Sequence, residues 1–207
     1  MSKFLVTAGP TREAIDPVRY VSNRSSGRMG YAICEALLAM GHEVVLVTGP
    51  TSLSRPRGAQ IIEVESALEM LDACESAWSD CDGLFAVAAV GDYRPANYTS
   101  QKLKRVSDNL VIEMVANPDI VKTLATSKGD KLVVGFALES ENGVENSRNK
   151  LASKNLDYIC LNSPDAQGAL ESSLDVISVA DRFSIGPCNK SQLAEELTSY
   201  LLIKNEN

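Results

Sequence analysis

The sequence contains few of the side chains used in metal-assisted or covalent chemistry. Its 207 residues include a single histidine, His42, and five cysteines that form no CxxC pair. A zinc site usually needs four closely spaced cysteine or histidine ligands, so no plausible zinc set is present. A Ser/His/Asp or Cys/His arrangement for a side-chain nucleophile is missing as well. We therefore expect free thiols and a chemistry whose nucleophiles come from the substrates.

Features of membrane-spanning and secreted proteins are also missing. No apolar run approaches the ~18 residues that a transmembrane helix requires. The first residues, Met1–Thr7, pass directly into a strand-like segment and leave no room for a signal peptide. The formal net charge is −7, whereas nucleic-acid surfaces need clustered cations. We expect a cytoplasmic protein with neither a membrane nor a nucleic-acid partner.

What is present is a regular alternation of strand-like and helix-like segments. Such alternation predicts βαβ units and an α/β fold: a three-layer, Rossmann-like parallel sheet with helices on both faces. A length of 207 residues fits one domain, 1–207. The predicted strands are 4–7, 44–48, 84–89, 132–137, 158–161 and 176–179, with 109–115 as a candidate addition. The predicted helices are 30–40, 66–79, 118–127, 142–153 and 190–203.

The chain has neither a Walker A loop nor a GxGxxG fingerprint, but Ser22–Gly30 offers another route to anion binding. Glycines allow close backbone approach, serine hydroxyls donate hydrogen bonds, and a helix start supplies free N–H groups. An anion-binding loop and a plain helix-start turn are equally compatible with this pattern. The residues that would contact an anion are Ser25, Ser26, Gly27 and Gly30.

Several later segments also allow a functional and a structural interpretation. Ala86–Pro95 could present its backbone and Asp92 to a ligand, or form a packed strand and a surface turn. The loop 92–109 is long enough for a lid, and its Lys102–Arg105 run could close over a polyphosphate or remain solvated surface. Lys150 and Lys154 share one helix face and could grip one phosphate.

Two further positions have simple structural explanations. Asn117 can cap the helix that follows, with Pro118 in its first turn and Asp119 complementing the dipole. Phe136 ends an apolar strand, where its ring could stack on a base or fill the core.

Taken in order, these segments resemble phosphopantothenoylcysteine synthetases. The resemblance covers roughly residues 5 to 162 and is most specific at the start of the chain. The matching stretches are 6–13, 16–23, 25–27 with 29–30, 88–90, 92–95, 102–104, 117–121, 134–137 and 154–157. One departure is Gly91, where the family usually has alanine, and we expect it to cost little.

The resemblance implies roles for individual residues. Asn23 would stabilise an acyl-nucleotide intermediate, Ala88 would lie in the active site, and Lys102 would be the catalytic lysine of the lid. The implied nucleotide site comprises Ala86, Val87, Ala88, Asp92, Lys102, Pro118, Asp119, Ile120, Val121, Phe136, Lys150 and Lys154.

The resemblance also implies the reactants. CTP would be the co-substrate, with Mg²⁺ bound to the nucleotide rather than to protein side chains, and no flavin would be used. The other substrates would be 4′-phosphopantothenate and L-cysteine. A homodimer and a separate decarboxylase are the implied protein partners. Two alternatives stay open: a non-catalytic nucleotide-binding regulatory protein, and an NAD(P)-dependent oxidoreductase, which the missing GxGxxG disfavours.

Overall fold

A computed structural model describes residues 1–105, 108–139, 141–162 and 171–205 of the chain. The strands are β1 (Lys3–Ala8), β2 (Arg12–Ala14), β3 (Tyr20–Ser22), β4 (Glu43–Thr48), β5 (Gln60–Glu63), β6 (Gly83–Ala86), β7 (Tyr93–Pro95), β8 (Met114–Ala116), β9 (Leu132–Leu138), β10 (Tyr158–Asn162), β11 (Glu171–Ile177) and β12 (Arg182–Asn189). The helices are α1 (Arg28–Ala39), α2 (Ala67–Trp78), α3 (Ile120–Ala125), α4 (Gly143–Ser153) and α5 (Lys190–Asn205). No helix within these ranges is long and apolar enough to cross a bilayer.

Eight strands form the central sheet, in the order β12-β11-β10-β9-β6-β1-β4-β5. The six strands from β10 to β5 are parallel, and five of them, all but β5, correspond to predicted strands. The chain leaves β1 toward β4 and β5 and then crosses back to β6 on the other side of β1. This reversal is a topological switch point, and open α/β sheets bind ligands in the crevice formed there at the carboxyl ends of the strands.

Helices cover both faces of the sheet, which confirms the predicted three-layer α/β architecture. Side chains of a strand alternate between faces, so Phe4 and Val6 of β1 join the core beneath α1 and α5. Leu5 points to the opposite core, which contains residues of α2, α3 and α4. The layering therefore puts α1 and α5 on one side of the switch point and α3 and α4 on the other.

The sheet differs from the sequence prediction at both edges. Strand β5 at one edge was not predicted. At the other edge, the predicted strand 176–179 overlaps only the end of β11, which runs antiparallel to β10 and pairs with β12, a strand that we did not predict. Strand β12 alternates exposed and partly buried residues, and it lacks the continuous apolar run of a central strand. Because β12 is antiparallel to β11, its carboxyl end lies at the same edge as those of β1, β6 and β9.

Two predicted boundaries are wrong for identifiable reasons. The strand predicted over 84–89 ends at Ala86, because the N–H groups of Val87 and Ala88 donate to the Thr7 hydroxyl, each at 3.2 Å. The helix predicted from Pro118 begins at Ile120, and Asp119 caps it by accepting from the Lys122 N–H. The candidate strand 109–115 contributes only to β8, which pairs with β7 in a separate two-stranded sheet.

Candidate functional site

A cleft of about 1180 Å³ opens at the carboxyl ends of β1, β6 and β9. Pockets for one drug-sized molecule usually measure roughly 300–1,000 Å³, so this cleft has room for more than one small substrate. Its lining includes residues that the sequence predicted from separate segments. They are Ser25, Ser26, Gly27, Gly30, Ala86, Val87, Ala88, Asp92, Pro118, Asp119, Ile120, Val121, Phe136, Lys150 and Lys154.

Backbone hydrogen bonds shape the floor of the cleft. Beyond the two bonds to Thr7, the Ala89 N–H donates to the Gly9 carbonyl at 2.9 Å, and the Gly91 N–H donates to the Thr11 hydroxyl at 2.9 Å. Small side chains in this segment leave its main chain accessible from the cleft. The segment after β6 is thus tied to the loop after β1, across the switch point.

One wall of the cleft is the start of α1. Gly27 occupies the N-cap position with φ 77°, and no side chain caps the helix. No acidic residue lies in the first turn, so the positive end of the helix dipole is not neutralised locally. Gly30 packs directly on β1: an added Cβ would lie 2.6 Å from the Ala8 Cβ. This wall has the backbone geometry of an anion-binding site.

The opposite wall comes from α3, α4 and the end of β9. Lys150 and Lys154 both line the cleft, but they do not share one partner. The Lys150 ammonium contacts Glu139 at 2.5 Å, and the Lys154 ammonium contacts Asp119 at 2.9 Å. The hydrogen bond from Lys150 lowers the pKa of Glu139. The ligand-facing charge of this wall is therefore held in two ion pairs.

A third lysine of the cleft, Lys190, was not among the predicted site residues. It is the first residue of α5, it is half-buried, and its ammonium donates to the Ser172 hydroxyl at 2.5 Å. Burial lowers its pKa. Lys190 follows β12, a strand that sequence patterning missed, so its position at the cleft could not be predicted.

Asn23 lies beside the cleft, next to the segment that forms its floor. Its side-chain amide donates to the carbonyl oxygens of Ala89 and Val90, at 3.3 and 2.9 Å. Asn117 plays a similar part from the other side: its amide donates to the Gly91 carbonyl at 2.8 Å, so it holds this segment and does not cap α3. Two asparagine side chains thus fix the chain just before Asp92.

Lys102 is the one predicted nucleotide-site residue that does not line the cleft. It is exposed and borders a second groove of about 600 Å³, together with Arg19 and Leu110. The lid loop predicted over 92–109 also includes Val106 and Ser107, which lie outside the described residues. The contact of Lys102 with a nucleotide in the cleft therefore stays a prediction.

The chain next to Lys102 is anchored by a buried carboxylate. Asp16 accepts from the Arg19 guanidinium at 2.5 Å and from the Leu103 N–H at 3.1 Å, while Arg19 donates to the Leu103 carbonyl at 2.8 Å. Burial raises the pKa of Asp16, but hydrogen bonds from Val18, Arg19 and Leu103 outweigh it and lower the pKa well below the ordinary value. Asp16 therefore stays ionised and keeps Leu103 in place.

The cysteines are unsuited to nucleophilic roles. Cys34, Cys74, Cys81 and Cys160 are buried free thiols, and Cys188 is a partly exposed one. Burial raises the pKa of Cys34 and of Cys74 to about 12. Since the thiolate is the reactive form, these side chains are inert at neutral pH.

Within the described ranges, no three or more His, Cys, Asp or Glu side chains form a metal-binding group. A Mg²⁺ ion bound mainly through substrate phosphates needs only one or two carboxylates. Asp92 is an exposed carboxylate on the cleft lining and suits that role.

Comparison with known proteins shows the family to which the chain is related. The family described as DNA/pantothenate metabolism flavoprotein C-terminal domain matches residues 1–203. The coenzyme A biosynthesis bifunctional protein CoaBC of Vibrio parahaemolyticus is 48% identical over 168 residues, which are 80% of this chain and 42% of that protein. CoaBC of Haemophilus influenzae is 39% identical over 203 residues, 95% of this chain and 50% of that protein.

A solved structure agrees over nearly the whole chain. The crystal structure of the C-terminal domain of a CoaBC protein matches with a TM-score of 0.87 at 36% identity, and the match covers 99% of this chain and 96% of that one. The chain spans half or less of the length of the two CoaBC proteins from Vibrio parahaemolyticus and Haemophilus influenzae. The resemblance found in the sequence is thereby confirmed, and the chain belongs to the DNA/pantothenate metabolism flavoprotein C-terminal domain family.

Proposed function

We propose that this chain is a cytoplasmic phosphopantothenate–cysteine ligase that acts in coenzyme A biosynthesis. It would join 4′-phosphopantothenate to L-cysteine with CTP, through an acyl-cytidylate, and release CMP and pyrophosphate. The observation that carries the proposal is the cleft at the switch point, which gathers the backbone donors of α1 and the lysines of α4 around a floor of small residues. Its CoaBC relatives are named for coenzyme A biosynthesis.

The proposed chemistry matches what the cleft offers. A carboxylate is a poor acyl donor, so it first attacks the α-phosphorus of CTP and expels pyrophosphate. The cysteine amine then attacks the acyl-cytidylate and displaces CMP. Both steps need positioning and stabilisation of phosphate charge more than a protein nucleophile. The inert thiols and the lysines that line the cleft support such a mechanism.

Individual residues take roles in this scheme. Ala86–Ala88 would contact the nucleotide through their main chain, and Phe136 would stack on the base. Lys150 and Lys154 would exchange Glu139 and Asp119 for phosphate oxygens. Asn23, which already holds the carbonyls of Ala89 and Val90, would keep the floor segment aligned with the intermediate. Lys102 would reach the triphosphate when the lid closes.

Magnesium would enter with the nucleotide. Asp92 would be its protein ligand, and the ion would offset the negative charge of the phosphates. The protein's own contribution is to hold Asp92 in place through the hydrogen bonds that Asn117 makes to Gly91 and to the Asp92 carbonyl, each at 2.8 Å.

A second copy of the chain is the proposed partner. Apolar side chains on the two small sheets and on the turn between β2 and β3 are exposed: Val18, Tyr20, Val21, Tyr93 and Val115, with exposed fractions of 36–59%. Clusters of exposed apolar side chains often mark interfaces. A homodimer through this surface would cover strands adjacent to the lid. A separate decarboxylase would supply the activity that bifunctional relatives carry on one chain.

The test is pyrophosphate release from CTP in the presence and absence of 4′-phosphopantothenate. The proposal expects release that depends on phosphopantothenate, and faster turnover with CTP than with ATP at equal concentration. CTP binding without any release would instead indicate a regulatory binder, and tight binding of a nicotinamide nucleotide would indicate an oxidoreductase. Comparable turnover with ATP would overturn the choice of nucleotide.

A further inference from the structure

The start of α1 lines the cleft, but its N-cap residue has no side chain that could fix it in place. Gly27 is the N-cap, and the Tyr31 N–H donates to the Gly27 carbonyl at 3.1 Å. The N–H groups of Arg28, Met29 and Gly30 come before this bond and have no partner within the helix. A capping side chain would use one of these donors. Since the N-cap is a glycine, the position of the first turn is set from outside the helix.

The loop after β4, residues 49–59, contacts the first turn at Thr51. Gly9 and Gly27 both have a positive φ, 74° and 77°, and the Thr51 methyl group lies against both residues. A Cβ added to Gly9 would lie 2.9 Å from the methyl carbon, and a Cβ added to Gly27 would lie 2.8 Å from it. The methyl group therefore fills the space between the end of β1 and the start of α1, and it fixes the distance between them.

The hydroxyl of Thr51 reaches the same turn of α1 through the buried side chain of Tyr31. It donates to the Tyr31 hydroxyl at 3.1 Å, and the Arg55 guanidinium donates to that hydroxyl as well. The Thr48 hydroxyl donates to the Gly49 carbonyl at 2.9 Å, which leaves the Tyr31 hydroxyl as the donor to Thr48, at 3.3 Å. Three hydrogen bonds thus tie Tyr31 to the end of β4 and to the loop that follows it.

This network lies behind the wall of the cleft. Among the described residues that line the cleft, Tyr31, Thr51 and Arg55 do not appear. Arg55 is itself oriented by Glu63 of β5, with a nitrogen-to-oxygen distance of 2.6 Å. An effect of Thr51 or Arg55 on a ligand in the cleft would therefore pass through the position of α1.

We propose that Thr51, together with Tyr31 and Arg55, is a positioning residue that holds the start of α1 where its N–H groups bind the phosphates of the nucleotide. The inference rests on the proposed function. Hydrogen bonds from a helix start to phosphate oxygens depend on a geometry held to within about 0.5 Å by the residues behind it. CTP carries the most phosphate charge of the three substrates, and the lysines of α4 line the same cleft, so a triphosphate could be bound from both walls.

The experiment separates the two groups of the Thr51 side chain. Thr51→Ala removes the methyl group and the hydroxyl, Thr51→Ser removes only the methyl group, and Thr51→Val removes only the hydroxyl. Thr126→Ala is the matched control, because it makes the same change at an exposed position at the end of α3. Calorimetry measures the binding of CTP and of inorganic triphosphate, both with Mg²⁺. Steady-state kinetics give the KM for CTP and for cysteine, and thermal unfolding measures the stability of each variant.

For Thr51→Ala we expect CTP and inorganic triphosphate to bind about tenfold more weakly, the size of one lost hydrogen bond to a charged group, with the KM for cysteine within about twofold. Thr51→Ser and Thr51→Val each keep one of the two contacts and should bind CTP about two- to fourfold more weakly. Thr126→Ala should bind both ligands as the wild type does. Because inorganic triphosphate has no base, equal factors for the two ligands would assign the loss to the phosphates.

A double variant tests the connection through Tyr31. Tyr31→Phe removes the hydroxyl that accepts from Thr51. If the Thr51 hydroxyl acts through Tyr31, Thr51→Val combined with Tyr31→Phe should bind CTP no more weakly than the weaker-binding single variant. Additive losses would contradict this connection.

The inference is overturned if Thr51→Ala loses thermal stability but keeps the wild-type affinity for CTP and triphosphate, which is the result that a merely structural role gives. It is also overturned if the affinity for CTP falls while that for triphosphate does not. If Thr51→Ala fails to fold, Thr51→Ser decides by the same two affinities. A wild type that binds CTP but forms no product would refute the proposed function and leave the inference to the binding data.

Discussion

The two walls of the cleft differ in how their charge is held before any ligand arrives. On the α4 wall, Glu139 and Asp119 neutralise Lys150 and Lys154. On the α1 wall, the helix start has neither a side-chain cap nor an acidic residue in its first turn. A ligand at the first wall must exchange ion pairs, whereas a ligand at the second fills an existing positive site.

This difference has a physical consequence for selectivity. Exchange of one ion pair for another yields little net free energy unless the incoming anion carries more charge than a carboxylate. The α4 wall thus favours a polyphosphate over a simple acid. The α1 wall binds any anion that fits, so its selectivity must come from shape and backbone geometry.

The largest expected effect lies outside both walls, at Lys102. If the lid brings this ammonium to the triphosphate, Lys102→Gln should slow acyl-cytidylate formation by about 10²-fold or more, the usual scale for losing one stabilising group in a transition state. Rapid-quench measurement of pyrophosphate in a single turnover tests this. Lys122→Gln, at an exposed position on α3, is the control. A wild-type rate of acyl-cytidylate formation for Lys102→Gln would show that Lys102 takes no part in this step and that the two walls form the whole site.

A substitution in the α1 wall should be next in size. In Gly30→Ala the new Cβ would collide with Ala8 and with the Thr7 carbonyl, at 2.6 and 3.1 Å, and would push α1 away from β1. We expect a loss of about 1–3 kcal/mol in the free energy of unfolding, as for other overpacked cores, measured by urea denaturation.

Gly91→Ala is the matched control for that substitution. At Gly91 an added Cβ would come no closer than 3.3 Å, to a Glu13 side-chain carbon. Its free energy of unfolding and its KM for CTP should stay near the wild-type values. Equal losses at both positions would contradict the close helix–strand contact proposed for the α1 wall.

Lys150→Gln tests the α4 wall. It should raise the KM for CTP about tenfold, because one charge-assisted contact to phosphate is lost, and leave the KM for phosphopantothenate within about twofold. An unchanged KM for CTP would show that Lys150 does not contact the nucleotide.

The smallest effect is expected for Glu139→Gln, which releases Lys150 from its ion pair. CTP should then bind about two- to fivefold more tightly, since an exposed or half-exposed ion pair is worth no more than about 1 kcal/mol. The lowered pKa of Glu139 also sets the pH dependence. The contribution of the Glu139–Lys150 pair to the free energy of unfolding is full above an ordinary glutamate pKa of about 4.3, and it declines as the pH falls through the lowered pKa of Glu139. Weaker CTP binding in this variant would show that Glu139 supports the site instead of restraining it.

Five of the six parallel strands could be predicted because they are continuous apolar runs between amphipathic helices, whereas β5 has only two apolar residues, between Gln60 and Glu63, and was missed. The same patterning missed β12, whose polar and apolar residues do not form such a run, and with it the position of Lys190. The sequence pattern also predicted Asn117 as a helix cap. An asparagine that caps a helix and an asparagine that hydrogen-bonds to a distant loop cannot be told apart from the sequence alone.

Prediction of the site followed a similar pattern. Residues that follow strands, such as Ala88 and Asp92, were expected at the carboxyl edge and line the cleft. Which carboxylate pairs with Lys150 or Lys154 depends on three-dimensional contacts, since Glu139 and Asp119 come from different segments of the chain. Lys102 sits in a long loop, where sequence gives a function by resemblance but no position.

The most direct test is mass spectrometry of reactions that contain the chain, 4′-phosphopantothenate and CTP, with cysteine withheld and then added. The account predicts an acyl-cytidylate without cysteine, and its conversion to 4′-phosphopantothenoylcysteine and CMP once cysteine is present. If no acyl-cytidylate forms and CTP stays intact under both conditions, the account of this cleft as a site of carboxylate activation is wrong.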